Sequence, residues 1–422
     1  MVRPPDYSPR AAANFRINAG LSLAAAVFSR GVIFVLQVCI ARWLGVAELN
    51  LFVTASVVGA TIYLLSDLGL RPASLFIARG NETICRFVVG QSRSLRRLSA
   101  LIAFILGTSA VIILSKGGGP SLLPASMLIG SYVLQSYSRY LRAPLRAAAQ
   151  VGTETRIETL EKAIMFLGGL VGLAMNSLDA LAAGQLVGAV AGLLLTMRCL
   201  KGPDPMAVRI QGSVIRYGLT IAVALGAPML YSRLDYLVLV RIGDPVEAAV
   251  YAASYSLLLG ASLLPMALGE AAIAHLGEGK AGHRRYLRLA FFTGAAGATL
   301  IALLGPTVVE RLFGFYHPRL NSLFVVLALG FMVMTWNSTI ALLAPASGRQ
   351  MLMLKTVASA ALLSLVLCIL LVSAFGMMGA ALSTLFTELY VGLIWLCLTL
   401  HGSSKATEPL LSSGPPVATL QP

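Results

Sequence analysis

Apolar residues in this chain gather into twelve long stretches separated by short polar segments. A helix needs roughly 20 predominantly apolar residues to cross the hydrocarbon core of a bilayer. The pattern predicts spans at 17–40, 51–70, 98–114, 122–140, 160–175 and 180–199, then at 217–240, 248–268, 289–309, 320–344, 354–374 and 378–400. The connections are too short to hold a folded domain; 71–97 is the longest of them and reads as a loop. The expected fold class is all-α integral membrane, with about 12 transmembrane helices. Six helices followed by six of the same orientation form a parallel repeat, a common transporter plan.

Charge orients these spans. Of the 32 Lys and Arg residues, 25 fall on the side that carries both termini, and only Arg42, Lys116, Arg241, Arg311 and Arg319 fall on the other. Arg30 and Arg233 lie inside predicted spans. The positive-inside rule therefore expects both termini in the cytoplasm; the expected location is the plasma (cell inner) membrane. The expected organisation is a cytoplasmic N-terminal segment at 1–18 and a first six-helix unit at 19–200. A basic linker at 201–216, a second unit at 217–400 and a disordered Ser/Pro/Gly-rich tail at 401–422 follow.

Composition agrees with a membrane protein. Hydrophobic residues make up 57% and charged residues 12%, with mean hydropathy +0.83, far from the balance of a soluble domain. The pI near 10.0 would raise nucleic-acid binding in a soluble protein. Here the basic excess faces anionic membrane lipid, so nucleic acid is not an expected partner. The first apolar stretch follows three arginines but is too long for a signal core, and it is expected to remain as a helix. The five cysteines are scattered without a CxxC pair, and the four histidines have no zinc-ligand spacing. No GxxxxGK[ST] motif is present. No metal, cofactor or catalytic group is expected, and the chain is not read as an enzyme.

The candidate chemistry lies in charges inside the membrane, which are expensive there and usually face a cavity. Arg30 is near the middle of the first span, and Arg233 is about two-thirds along the seventh. The segments Phe28-Ser29-Arg30 and Tyr231-Ser232-Arg233 echo one another, a faint internal duplication. Asp235 reads equally as the partner of a cavity arginine or as a coupling-ion site. Asp67 closes the second span and is a second candidate ion-pair carboxylate. Glu388, within the twelfth span, reads equally as a protonatable site or a structural hydrogen-bond partner. Arg139, Arg142 and Arg146 are spaced to share one helix face. They form either a basic stripe at the cytoplasmic mouth of a cavity or ordinary positive-inside anchoring. Gly168 and Gly172, and Gly184, Gly188 and Gly192, predict close helix packing; Pro228, Pro265 and Pro345 are candidate kinks.

Several segments taken in order resemble one family. These are Ala41-Arg42-Trp43-Leu44-Gly45-Val46-Ala47-Glu48, Ser66-Asp67-Leu68-Gly69-Leu70, and Leu234-Asp235-Tyr236-Leu237-Val238-Leu239 with Tyr251-Ala252-Ala253-Ser254-Tyr255. Phe313-Gly314-Phe315-Tyr316 and Phe375-Gly376-Met377-Met378-Gly379-Ala380-Ala381 continue the pattern across nearly the whole chain. Together they resemble the Wzx-type lipid-linked oligosaccharide flippases, polysaccharide transporters of the multidrug/oligosaccharidyl-lipid/polysaccharide (MOP) exporter superfamily. The resemblance implies two six-helix bundles in a V around a central cavity, working by alternating access. It implies an undecaprenyl-pyrophosphate-linked glycan as cargo, carried from the inner to the outer leaflet for lipopolysaccharide or exopolysaccharide synthesis. Polysaccharide polymerase and glycosyltransferases are the partners it suggests, and Arg30 and Arg233 take the place of the family's cationic cavity.

Two other readings remain. A drug or cation exporter of the same superfamily has the same helices, but buried arginines suit a cationic cargo badly. A polytopic glycan polymerase or ligase usually carries a large external loop, and the external segments here are short.

Overall fold

The structure, a computed structural model, describes residues 9–78, 81–115, 122–200, 212–263, 280–346 and 350–401, and every regular element among them is helical. The first bundle comprises α1 (Pro9–Trp43), α2 (Val46–Asp67), α3 (Leu70–Ala78), α4 (Glu82–Leu114), α5 (Leu122–Leu141), α6 (Ala143–Ala147), α7 (Val151–Ala174) and α8 (Leu178–Cys199). The second comprises α9 (Gly212–Ile242), α10 (Pro245–Ala261), α11 (Lys280–Val308) with a π turn at Val309–Phe313, α12 (Leu320–Ala346), α13 (Gln350–Phe375) and α14 (Met377–His401). Apart from the short α3 and α6, these are the twelve helices expected, in the expected order. Among the described residues, 8 are long and apolar enough to cross a membrane by length and composition alone; α5, α7, α9 and α10 are the remaining long helices. The fold is an all-α membrane fold of two six-helix bundles about a central cavity.

Within the first bundle α7 packs along α8, α5 lies between α2 and α8, and α1 lies against α7. In the second, α11 pairs with α12, while α14 packs on α12 and α13, and α13 on α9. Lipid gives no hydrophobic drive for such pairing, so close backbone approach has to supply it. The α7–α8 crossing does so: a Cβ placed on Gly168 would sit 2.7 Å from the Cα of Gly184, and one on Gly172 only 2.1 Å from the Leu181 nitrogen. The glycine spacing is accounted for by packing. Gly192 is a special case, because a Cβ there would fall 2.6 Å from the Glu161 carboxylate, and its absence leaves room for that group.

The structure corrects several boundaries. The segment 71–97 is not a loop: α3 occupies part of it, and α4 begins at Glu82 and runs 33 residues. Asn81 starts that helix by accepting the Ile84 N–H at 3.2 Å, an N-cap interaction. Helix α1 starts at Pro9, so much of the predicted N-terminal segment belongs to it, and α7 starts at Val151, ahead of its apolar stretch. Helix α9 continues through Pro228 and α12 through Pro345. Pro265, most of the linker 201–216, and the tail from 402 lie outside the described residues.

Candidate functional site

The bundles meet along α1 and α2 on one side and α9 and α10 on the other. A cavity of about 760 Å³ lies in this seam, with a largely apolar wall. Arg30 and Gln37 of α1, Ser56 of α2, Tyr132 of α5, Arg233 of α9 and Tyr255 of α10 are among the residues that supply its polar and aromatic features. Large, mostly apolar pockets with a few convergent polar groups are the usual form of ligand sites. The two arginines that the sequence echo pairs thus come from the first helix of each bundle and reach the same space.

Each arginine is already engaged. Arg30 Nη1 donates to the Leu259 carbonyl oxygen at 2.7 Å and to Ser262 Oγ at 3.0 Å. Leu259 lies in the last turn of α10, where carbonyls lack intrahelical donors and the helix end carries partial negative charge. Arg30 therefore ties the first bundle to the second. The Arg233 guanidinium lies 4.8 Å from the centroid of the Tyr255 ring, a cation–π contact, and Tyr255 Oη donates to the Ser232 carbonyl at 2.9 Å.

The carboxylates lie elsewhere. Asp235 is buried inside the second bundle, accepting from the hydroxyls of Tyr251 and of Thr384, the latter at 2.7 Å, and from the Tyr236 N–H at 2.6 Å. Glu388, on α14, is held by Asn337 of α12, whose Nδ2 donates to its carboxylate at 2.7 Å and to its backbone oxygen at 2.8 Å. Neither lines the cavity described above. Asp67 is 3.8 Å from Arg96 and accepts the Arg71 N–H at 3.2 Å.

Helix α5 ends at Leu141 and the short α6 follows with Pro144 in its first turn, yet helical bonding carries across the junction: the Arg142 N–H donates to the Ser138 carbonyl at 3.1 Å and the Arg146 N–H to the Arg142 carbonyl at 3.4 Å. Arg139 donates to Tyr63 Oη at 2.9 Å. Arg142, 2% exposed, pairs with the equally buried Glu161 at 3.3 Å. Arg146 pairs with Glu154 at 2.7 Å, and Arg71 reaches the other oxygen of the same carboxylate at 2.8 Å. Positions chosen by linear spacing are thus distributed among three partners inside the first bundle.

Glu154 lies ahead of the apolar part of α7. Burial pushes its carboxyl up, but Arg71 and then Arg146 outweigh burial and hold the group below the usual carboxylate range. A depressed carboxyl stabilises the fold above its unfolded pKa, about 4.3, and that contribution disappears as pH falls through the folded value. Glu154→Gln should cost about 3 kcal/mol by removing the buried charge that Arg71 and Arg146 share. Melting curves in detergent should show the wild-type protein losing stability below about pH 4 more steeply than this variant; parallel curves would contradict the bridge.

Sequence reasoning missed Arg96, the most deeply buried arginine among the described residues, with 0% exposure. Its Nη1 donates to the Ser66 carbonyl at 2.6 Å and its Nη2 to Ser136 Oγ at 2.7 Å, while Tyr137 and Tyr140 present their rings 5.9 and 5.8 Å away. A signal was present: Val89, Ser92, Ser99 and Ala103 precede and follow it at helical spacing, a small-residue face on which Arg96 is the outlier.

No family model and no curated protein sequence matches the chain. Solved structures do. An inward-facing multidrug resistance MATE family transporter of the MOP superfamily aligns with 88% of this chain and 96% of its own, at TM-score 0.66 and 14% identity. The eukaryotic MATE transporter AtDTX14 aligns over 97% and 99% respectively, at TM-score 0.66 and 15% identity. The lipid II flippase MurJ, in an inward closed conformation, aligns over 89% and 87%, at TM-score 0.62 and 15% identity. At such identities the likeness concerns architecture, and it extends over nearly the entire chain: this protein has the fold of the MOP exporters.

Proposed function

We propose that this protein is a MOP-type membrane transporter that carries a lipid-linked oligosaccharide, of the undecaprenyl-pyrophosphate class, from the inner to the outer leaflet by alternating access. The observation that carries this reading is the pair Arg30 and Arg233, contributed by opposite bundles to one largely apolar cavity. A pyrophosphate supplies the negative charge such a pair would hold, and arginine retains its charge at any relevant pH. Asp235 and Glu388, buried in the second bundle, are the candidate coupling carboxylates, in place of nucleotide hydrolysis.

Drug or cation export is the second reading, supported by the likeness to MATE transporters. Cavity charge weighs against it. The described lining includes two arginines and no aspartate or glutamate, whereas a cationic cargo would call for the reverse. Deleting the protein should leave lipid-linked oligosaccharide on the cytoplasmic leaflet and abolish an exported or surface glycan. Changed drug tolerance with every surface glycan intact would favour the second reading.

In the proposed topology both termini face the cytoplasm of a bacterial-type inner membrane. Reporter fusions after Gly118, Asp179, Asp244 and Phe375 should read outside, and those after Gly80, Gly152, Pro203 and Gly279 inside. An inverted pattern would overturn this orientation.

A further inference from the structure

At the end of the molecule where α2 stops, the two bundles touch backbone to backbone. Helix α2 ends at Asp67, and Leu68 and Gly69 follow with φ of 49° and 65° before α3 begins at Leu70. Left-handed geometry is uncommon for leucine, so this break must be held in place. It is held from behind. Arg96 Nη1 and Ser99 Oγ both donate to the Ser66 carbonyl, at 2.6 and 2.7 Å, and the Arg71 N–H binds the Asp67 carboxylate.

In front of the break lies α9. A Cβ on Gly69 would fall 2.0 Å from the Gly218 carbonyl oxygen and 3.0 Å from the Ala222 nitrogen, and a Cβ on Gly218 would fall 2.8 Å from the Leu68 oxygen. Neither position leaves room for a side chain. Thr61, also on α2 and on the cavity wall, precedes Asp67 by six residues, or about 9 Å of helix. The contact therefore sits just beyond the cavity.

The opposite end is joined differently. There Arg42 donates to the carbonyls of Leu312, at 2.8 Å, and of Arg311, and Asn50 Nδ2 donates to the Pro245 oxygen at 2.8 Å. Hydrogen bonds between bundles must be broken to separate that end. At the α2–α3 end the described contact is glycine backbone on glycine backbone, and between the two ends Arg30 bonds Leu259 and Ser262 across the bundles.

We propose that Gly69 and Gly218 form the door that closes the cavity at the α2–α3 end, with Arg96 as the positioning residue that sets the Leu68–Gly69 break. Among the described residues this contact is backbone on backbone, with no space for a side chain on either glycine. The proposal rests on the transporter reading of the cavity but is independent of the cargo's identity.

The test uses the full chain with its native cysteines replaced and one introduced by Ser256→Cys, on the cavity wall. A membrane-impermeant maleimide is applied to vesicles of each orientation. Gly218→Leu should raise labelling from the α2–α3 end by about tenfold, the effect of a largely closed population becoming largely open, with no rise from the other end. Gly212→Leu, on the same helix but with open space around its missing Cβ, should change neither. Gly218→Ala, which favours an α-helix, covers the case in which leucine lowers abundance; it should raise labelling in the same direction. Arg96→Lys should raise it too, since lysine lacks the second arm that reaches Ser136. Unchanged labelling of both Gly218 variants at normal abundance would overturn the door, as would an equal rise with Gly212→Leu. A failure of glycan export to depend on this protein, with the labelling as predicted, would overturn the cargo and leave the door standing.

Discussion

Replacing Arg30 and Arg233 together with alanine should abolish glycan export while the protein still accumulates in the membrane. Each guanidinium would supply charge-assisted hydrogen bonds to phosphate oxygens, worth about 1.5–3 kcal/mol apiece. Losing one should therefore cost roughly 10- to 100-fold in transport, and losing both should leave nothing measurable. Glutamate at either position should be as severe as the double change, since it repels the cargo as well as failing to hold it. Arg30 requires a control, because it also ties α1 to the end of α10 through Leu259 and Ser262. Arg30→Gln keeps a donor for the Leu259 carbonyl but removes the charge. Arg30→Lys keeps both charge and donor while losing the planar fork, and should retain partial function. If Arg30→Gln exports normally, the role of Arg30 is to join the bundles, and the cargo site rests on Arg233 alone.

The largest effect on stability is expected at Arg96. Its guanidinium is fully buried, carries the Ser66 and Ser136 hydrogen bonds, and lies near Asp67. Removing one member of such a buried set costs about 3–5 kcal/mol, because the remaining partner is left uncompensated. Arg96→Ala should therefore lower the melting temperature in detergent and reduce the amount of protein in the membrane. Arg97→Ala, one residue along and exposed, should stay within about 0.5 kcal/mol of the parent. The contrast between neighbours is the test: equal behaviour of the two variants would mean that Arg96 is not an anchor of the first bundle. Arg30→Ala and Arg233→Ala are expected to show the opposite profile, with export reduced and abundance kept.

What the sequence made legible follows from what the membrane makes expensive. Long apolar runs could hardly be anything but spanning helices, because unpaired backbone cannot be left in lipid. Arg30 and Arg233 stood out for the same reason, as charges where charge is costly. Arg96 did not, because the first part of α4 is mixed in character and resembles a polar connection; its helicity depends on the Asn81 cap and on packing against α2 and α5. The Arg139, Arg142 and Arg146 spacing gave no clue to their partners, because Tyr63, Glu161 and Glu154, all distant in sequence, meet them only once the bundle is packed. Tyr132 gave no signal, and Tyr255 entered only as part of the Tyr251-Ala252-Ala253-Ser254-Tyr255 segment, with nothing to mark it as a cavity residue. An aromatic residue in an apolar span shows no preference for cavity over lipid until the bundles are assembled.

The central claim, that the cavity receives a lipid-linked anion, is tested most directly in reconstituted vesicles. A fluorescent isoprenoid pyrophosphate-linked oligosaccharide is placed in both leaflets, and an impermeant quencher is added outside. With wild-type protein nearly all fluorescence should become quenchable as inner-leaflet lipid crosses, and with the Arg30→Ala/Arg233→Ala protein only the outer half should. Equal quenching with both proteins would contradict the account.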